Sequence, residues 1–293
     1  MAIHHRGLQI VPTSAIQGRS SSKLGQRRIC ALARAAEVHR FRARYDRAEA
    51  LLRQALALAA KTAGSNIMFA TLLNNLAVVH KYQGRFAEAN RLYRRALPVL
   101  KKNLGADHPE LASLYHNLGG LEHARGRYAR GEPLARKAVA IRTRAYGPHH
   151  PEVAADIAAL AAILNGQGKR AEATALYRRV LAIFKRVYGP RHYEVAVNLS
   201  NLAAVYLANG ELQNARRLYR QALKLKRHLL GCDHPETAIT MNNLAVLCNL
   251  QGKSVEAAEL YRRALPVFDH KLGKKHPNTV ECRKNYRRML DPA

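Results

Sequence analysis

Leu230-Gly231-Cys232-Asp233-His234-Pro235-Glu236 holds the punctuation on which the chain turns. Its glycine, two residues, histidine recur at Gly105–His108, Gly147–His150, Gly189–His192 and Gly273–His276, with 42 residues from one copy to the next. A fixed period in this range marks stacked supersecondary units, none of which can bury its apolar face alone. The repeat therefore decides fold class before any residue propensity is weighed.

Working outward, a second glycine set at Gly84, Gly126, Gly168, Gly210 and Gly252 falls midway between the first. Glycine just past a helix end accepts the left-handed backbone that a Cβ disfavours. Two glycine sets per period thus predict two helices per repeat. Pro109, Pro151, Pro235 and Pro277 open the next helix, where a missing N–H leaves no hydrogen bond unmade. Glu110, Glu152, Glu194 and Glu236 follow in the first turn and favour the positive end of the helix dipole. Tyr193 stands where the fifth unit would carry proline.

On this register the first helices of each pair are expected near 27–42, 68–83, 110–125, 152–167, 194–209 and 236–251. Their partners are expected near 45–60, 86–102, 128–144, 170–186, 212–228 and 254–270, with a final cap at about 277–290. Residues 1–26 stand apart as a basic segment containing Arg19, Lys23 and Ser20-Ser21-Ser22 but no acid. That composition predicts a disordered tail. It is also the composition of an organellar transit peptide.

Composition bounds the function. The apolar fraction is 48 %, ample for a continuous core, and no apolar run reaches the length of a membrane span. Lys and Arg number 49 against 20 Asp and Glu, so the net charge of +29 favours anionic partners. Cys30, Cys232, Cys248 and Cys282 show no zinc-ligand spacing, and a reducing, cytoplasmic setting is expected. The histidines recur one per repeat, too far apart to share an ion whose ligands sit about 2 Å from it, so capping is the better account. No nucleophile, phosphate-loop or zinc-protease motif is present. Neither an enzyme nor a metal or cofactor site is expected.

Within each pair small residues recur where two helices must touch, as in Asn75-Leu76-Ala77 … Gly84 … Ala89 … Tyr93 … Ala96. Asn242-Asn243-Leu244-Ala245 and the stretch Leu230–Glu236 carry the same signature. This pattern resembles the tetratricopeptide repeat, in the 42-residue form of kinesin light chains and related bacterial proteins. The resemblance covers residues 27–290 and implies an all-α, right-handed superhelical solenoid of about six antiparallel helix pairs plus a capping helix. It also implies a non-catalytic scaffold that binds a protein or peptide. The segment before the repeats is short, basic and without heptads, so a part in the motor itself is not expected.

Stepping 100° per residue along the helix after residue 70 places Leu73, Leu76, Ala77 and His80 on one arc, facing the stack. Thr71, Asn75, Val78 and Tyr82 fall on the opposite arc. The resemblance implies that this second arc lines a concave groove, with Ser113, Asn117, Ala159, Asn201 and Asn243 at equivalent places. An asparagine offers donors and an acceptor, so a row of them could clamp an extended peptide backbone or staple neighbouring helices together. Basic residues gather instead on the second helices, at Arg94, Arg95, Arg178, Arg179, Arg220, Arg262 and Arg263, extended by Lys101, Lys102, Lys226 and Arg227. Such a ladder could follow a phosphate backbone, which makes nucleic-acid binding the alternative function.

Overall fold

The computed structural model describes residues 20–61 and 66–291, with side chains from residue 24 onward. Among the described residues the chain forms thirteen α-helices and no strand. They are α1 (Ser20–Phe41), α2 (Tyr45–Lys61), α3 (Asn66–Tyr82), α4 (Phe86–Leu104), α5 (Pro109–Ala124) and α6 (Tyr128–Tyr146). There follow α7 (Pro151–Gly166), α8 (Arg170–Tyr188), α9 (Tyr193–Ala208), α10 (Leu212–Leu230), α11 (Pro235–Leu250), α12 (Ser254–Lys271) and α13 (Pro277–Leu290). Every second helix and the final cap begin where the period puts them. First helices from α3 onward begin one or two residues early. The exception is α1, which starts at Ser20 and takes in the last part of the segment expected to be unstructured. Residues 1–19 of that segment lie outside the described residues.

The helix ends are local chemistry repeated. His108, His150, His192, His234 and His276 are N-caps whose Nδ1 accepts the backbone N–H two residues on, at 3.1–3.2 Å. This gives the histidine ladder a capping role and satisfies one orphan donor per helix start. At the turn between α9 and α10, Gly210 has φ +78°, and Glu211 N–H closes back on Tyr206 O at 2.9 Å. The first pair makes the same closure from Arg44 N–H to His39 O, yet there the left-handed residue is Ala43, φ +54°. A Cβ added at Gly210 meets nothing within 4 Å, so its cost is backbone strain alone. Gly210→Ala is expected to lower stability by about 1 kcal/mol in urea denaturation, with no change in helix content.

The chain divides into two compact units, with the boundary between Ala145 and Tyr146 in sequence. In both, the core lies between the members of each pair. Ala77 and Gly119 in the first unit and Ala161, Ala203 and Ala245 in the second are buried on first helices. Opposite them on second helices sit Ala89 and Gly131, then Ala173, Ala215 and Ala257, also buried. Small side chains let the helix axes approach. At Gly119 a Cβ would stand 3.4 Å from the backbone of Gly131 and Ala135, already at the limit of comfortable contact. Beside this seam Tyr93 in the first unit and Tyr177, Tyr219 and Tyr261 in the second are buried to 1 % exposure or less. Cys248 is buried, and burial pushes the Cys282 thiol up to about 12.

Candidate functional site

In the second unit the first helices α7, α9 and α11 keep one face open. The first position of the expected groove row is Ala155, Val197 and Ile239, of which the last two are half-buried and Ala155 is buried. Ala159, Asn201 and Asn243 come next, half-buried, followed by Ala162, Ala204 and Val246, half-buried as well. Gly166, Ala208 and Leu250 end the rows and are exposed. The face is free of charge along its length, and its narrow side chains on α7 leave room for larger ones from a ligand.

The asparagines on this face differ in what they hold. The Asn201 side chain makes no hydrogen bond within the described residues, so both its amide donors and its acceptor remain available. Asn243 is engaged on both sides, accepting from Asn242 Nδ2 at 3.3 Å and meeting the Tyr219 hydroxyl. Ala159 supplies only space.

In the first unit the corresponding residues are spent on the fold. Residues 71–80 of α3 are buried on every side, including Thr71, Asn75 and Val78, which the helical period places on an open arc. Thr71 Oγ1 donates to Ile67 O at 2.9 Å, one turn back in its own helix. Asn117 Nδ2 donates to Asn74 Oδ1 at 3.0 Å, and Asn74 Nδ2 in turn to Asn75 Oδ1 at 3.3 Å. That chain staples α5 to α3, so here the asparagine row ties helices together. Ser113 is half-buried and bonded by the Arg142 guanidinium. Tyr82 stacks on Tyr45 with ring centres 5.8 Å apart and lies under Arg40. Of the residues expected to line a groove, Asn201 and Asn243 are brought onto an open face, whereas Thr71, Asn75 and Asn117 are not.

The basic ladder stands in solvent: Arg94, Arg95, Arg178, Arg179, Arg220, Arg262 and Arg263 are all exposed. Several have partners, with Arg178 donating to Tyr206 Oη at 2.9 Å and Arg179 to Pro148 O at 3.0 Å. Lys226 does not belong to it. Its side chain is 2 % exposed, and its Nζ donates to both the backbone and the carboxylate of Glu236 at 3.2 Å. The cause is its register place, which faces inward and is held by Leu100, Phe184 and Phe268 in three other pairs and by the likewise buried Arg142 on α6. Sequence reasoning counted the charge and passed over those neighbours in register.

In the first unit the buried His80 meets the half-buried Glu49. Glu49 accepts from Arg53 at 2.8 Å and Arg85 at 3.0 Å, with His80 Nε2 at 3.4 Å. Burial works to raise the Glu49 carboxyl, but the Arg53 hydrogen bond and the His80 and Arg85 charges outweigh it and hold it below 4.5. Burial, aided by Arg85, pushes the His80 imidazole below its ordinary 6.5 against the pull of Glu49. A depressed histidine takes up its proton more readily once unfolded, so its contribution fades as pH falls below 6.5. The depressed carboxyl adds a loss in the same direction as pH falls below 4.5. Stability of the first unit is expected to decline on acidification through these ranges. His80→Leu, matching Leu164 in register, should flatten the first step in urea titrations run between pH 7 and pH 5.

The family model for the tetratricopeptide repeat matches residues 27–102, 68–130, 110–186, 153–228 and 194–270 in overlapping register. No curated protein matches the chain. Among solved structures it is similar to BtubC (BKLC) from P. vanneervenii, at 23 % identity and TM-score 0.54, covering 87 % of this chain and 94 % of that one. A Podosopora anserina kinesin light chain with nearly identical TPR-like repeats aligns at 26 % identity and TM-score 0.51, over 68 % and 93 % of the two chains. A Rap protein crystallised with Competence and Sporulation Factor shares the fold at 14 % identity and TM-score 0.62, over 92 % and 88 %. Among the described residues no helix is long and apolar enough to cross a membrane. The punctuation, the small-residue seams and the matched model converge: the chain belongs to the tetratricopeptide repeat family.

Proposed function

We propose that the chain is a non-catalytic scaffold for protein interaction, and that the first-helix face of α7, α9 and α11 receives an extended peptide segment of a partner. The observation that carries this reading is Asn201, a half-buried amide with no intramolecular partner in the middle of a charge-free face. A polar group left this way on a folded surface is ready to pair with a peptide backbone whatever its side chains. Ala159, Ala162 and Gly166 beside it give apolar ligand side chains somewhere to sit. The similar kinesin light chain supports the reading through its repeats.

The test separates recognition from folding. Partners are captured on the immobilised protein and identified by tandem mass spectrometry, comparing wild type with Asn201→Ala/Asn243→Ala and with Ala204→Arg, which fills the face. Both variants should lose the same captured proteins while helicity by circular dichroism stays unchanged. Asn117→Ala, whose amide bonds Asn74, should instead lower the melting temperature and leave capture intact. Undiminished capture by Ala204→Arg sinks the assignment of this face.

A further inference from the structure

On the second-helix side of the second unit, α10 and α12 leave an open groove of about 400 Å³ between them. Leu223, Leu244 and Leu260 make its floor. Its walls are strongly charged. Helix α10 carries no acidic residue and contributes Arg220, Lys224 and Arg227, while Arg263 faces them from α12. We propose that this groove is a second docking site, taken by an acidic peptide segment of a partner protein.

Two facts make the groove receptive to carboxylates despite Glu256 and Glu259 in its wall. First, both acids are already neutralised. Glu256 accepts from Arg216 at 2.6 Å and Arg220 at 3.0 Å, and Glu259 pairs with Arg263 at 3.5 Å. Second, the remaining cations have no such partner. Lys224 and Arg227 are three residues apart on α10 and so share a face, and neither pairs with a carboxylate among the described residues. The Arg227 guanidinium is short of acceptors as well. Its Nη2 rests on the Met241 thioether sulfur at 3.7 Å, and its shielded Nε has no hydrogen-bond partner. A sulfur is a weak acceptor, and a carboxylate brought in from outside would replace it with a charge-assisted bond.

The same features favour peptide over nucleic acid. No aromatic side chain lines the groove, so bases would have nothing to stack on. Leucines at the floor suit an aliphatic side chain set between two carboxylates. The net charge of +29 adds long-range attraction for an acidic partner. Because that attraction is general, the test must distinguish the groove from the overall field.

Fluorescence anisotropy with a labelled Glu-Glu-Leu repeat peptide, in about 0.15 M salt where the Debye length is about 8 Å, reads groove binding directly. Lys224→Glu/Arg227→Glu should weaken the peptide about tenfold or more. The matched reversal Lys101→Glu/Lys102→Glu, on exposed cations of the first unit, should weaken it by less than about twofold. Lys224→Gln/Arg227→Gln should give a smaller loss in the same direction, which guards against misfolding of the reversed variant. A peptide with Gln for every Glu should not bind. Ala204→Arg, blocking the first-helix face, should leave the anisotropy unchanged, so this proposal and the function above fail separately. Equal losses from the two charge reversals overturn the proposal. So does tighter binding of a single-stranded oligonucleotide that depends on Lys224 and Arg227, an outcome that assigns the groove to nucleic acid.

Discussion

Tyr177→Ala is expected to lower the unfolding free energy of the second unit by about 4 kcal/mol, read as a shift of the urea midpoint. Tyr177 lies on α8 with 1 % of its surface exposed, in register with Tyr219 on α10 and Tyr261 on α12. Burial has pushed its phenol well above the ordinary tyrosine range, as expected of a ring held out of water. Truncation removes a large apolar ring and leaves a cavity that its neighbours can fill only in part. The small residues of the same helix pair, Ala161 and Ala173, are buried and too short to reach across a gap. In a stacked array each repeat leans on the next, so the loss also reaches the adjoining pairs, and the transition should broaden as the midpoint falls. Tyr146→Ala supplies the contrast: that ring is 45 % exposed and its removal should cost well under 1 kcal/mol. A Tyr177→Ala loss of similar size would show that the tyrosine column is not a packing element.

How far the sequence could be read depended on whether each feature was set by its own backbone or by its surroundings. Gly210, His192 and Pro235 act on bonds within two or three residues, and their repetition placed helix ends to within two residues from α2 onward. Ala43 shows the same rule at work, since a turn that elsewhere uses glycine still forms around a strained alanine. Side-chain roles travelled less well. A period assigns one role to every copy of a position, yet Asn117 staples α5 to α3 whereas Asn201 faces outward with its amide free. Nothing in the helical arc of α3 announced that residues 71–80 would be covered all round, because that depends on what the flanking helices bring against them. The groove between α10 and α12 escaped sequence reading for the same reason: its vacant cations, Lys224 and Arg227, are recognised only once Glu256 and Glu259 are seen to be engaged by Arg220 and Arg263.

Lys226 offers the sharpest contrast between charge as a count and charge in place, and it leads to opposite outcomes for two partners in one ion pair. Glu236→Ala is expected to cost about 3 kcal/mol, whereas Lys226→Leu should be neutral or stabilising. The lysine side chain is 2 % exposed and the glutamate 24 %, so removing the carboxylate strands an ammonium in a site that water reaches poorly. The Glu236 carbonyl, also at 3.2 Å from Nζ, survives the substitution and keeps the loss near the lower end for a broken buried pair. Removing the lysine instead leaves a carboxylate that can turn toward solvent, in the first turn of α11 where the helix dipole favours it. Leucine at 226 then restores the apolar residue that Leu100, Phe184 and Phe268 supply at the same place. Urea denaturation of both single variants and the double variant gives the coupling directly. The double variant should recover most of what Glu236→Ala loses, because no buried charge remains to be left alone. Equal losses from the two single variants would mean that the pair is a solvent-screened surface contact.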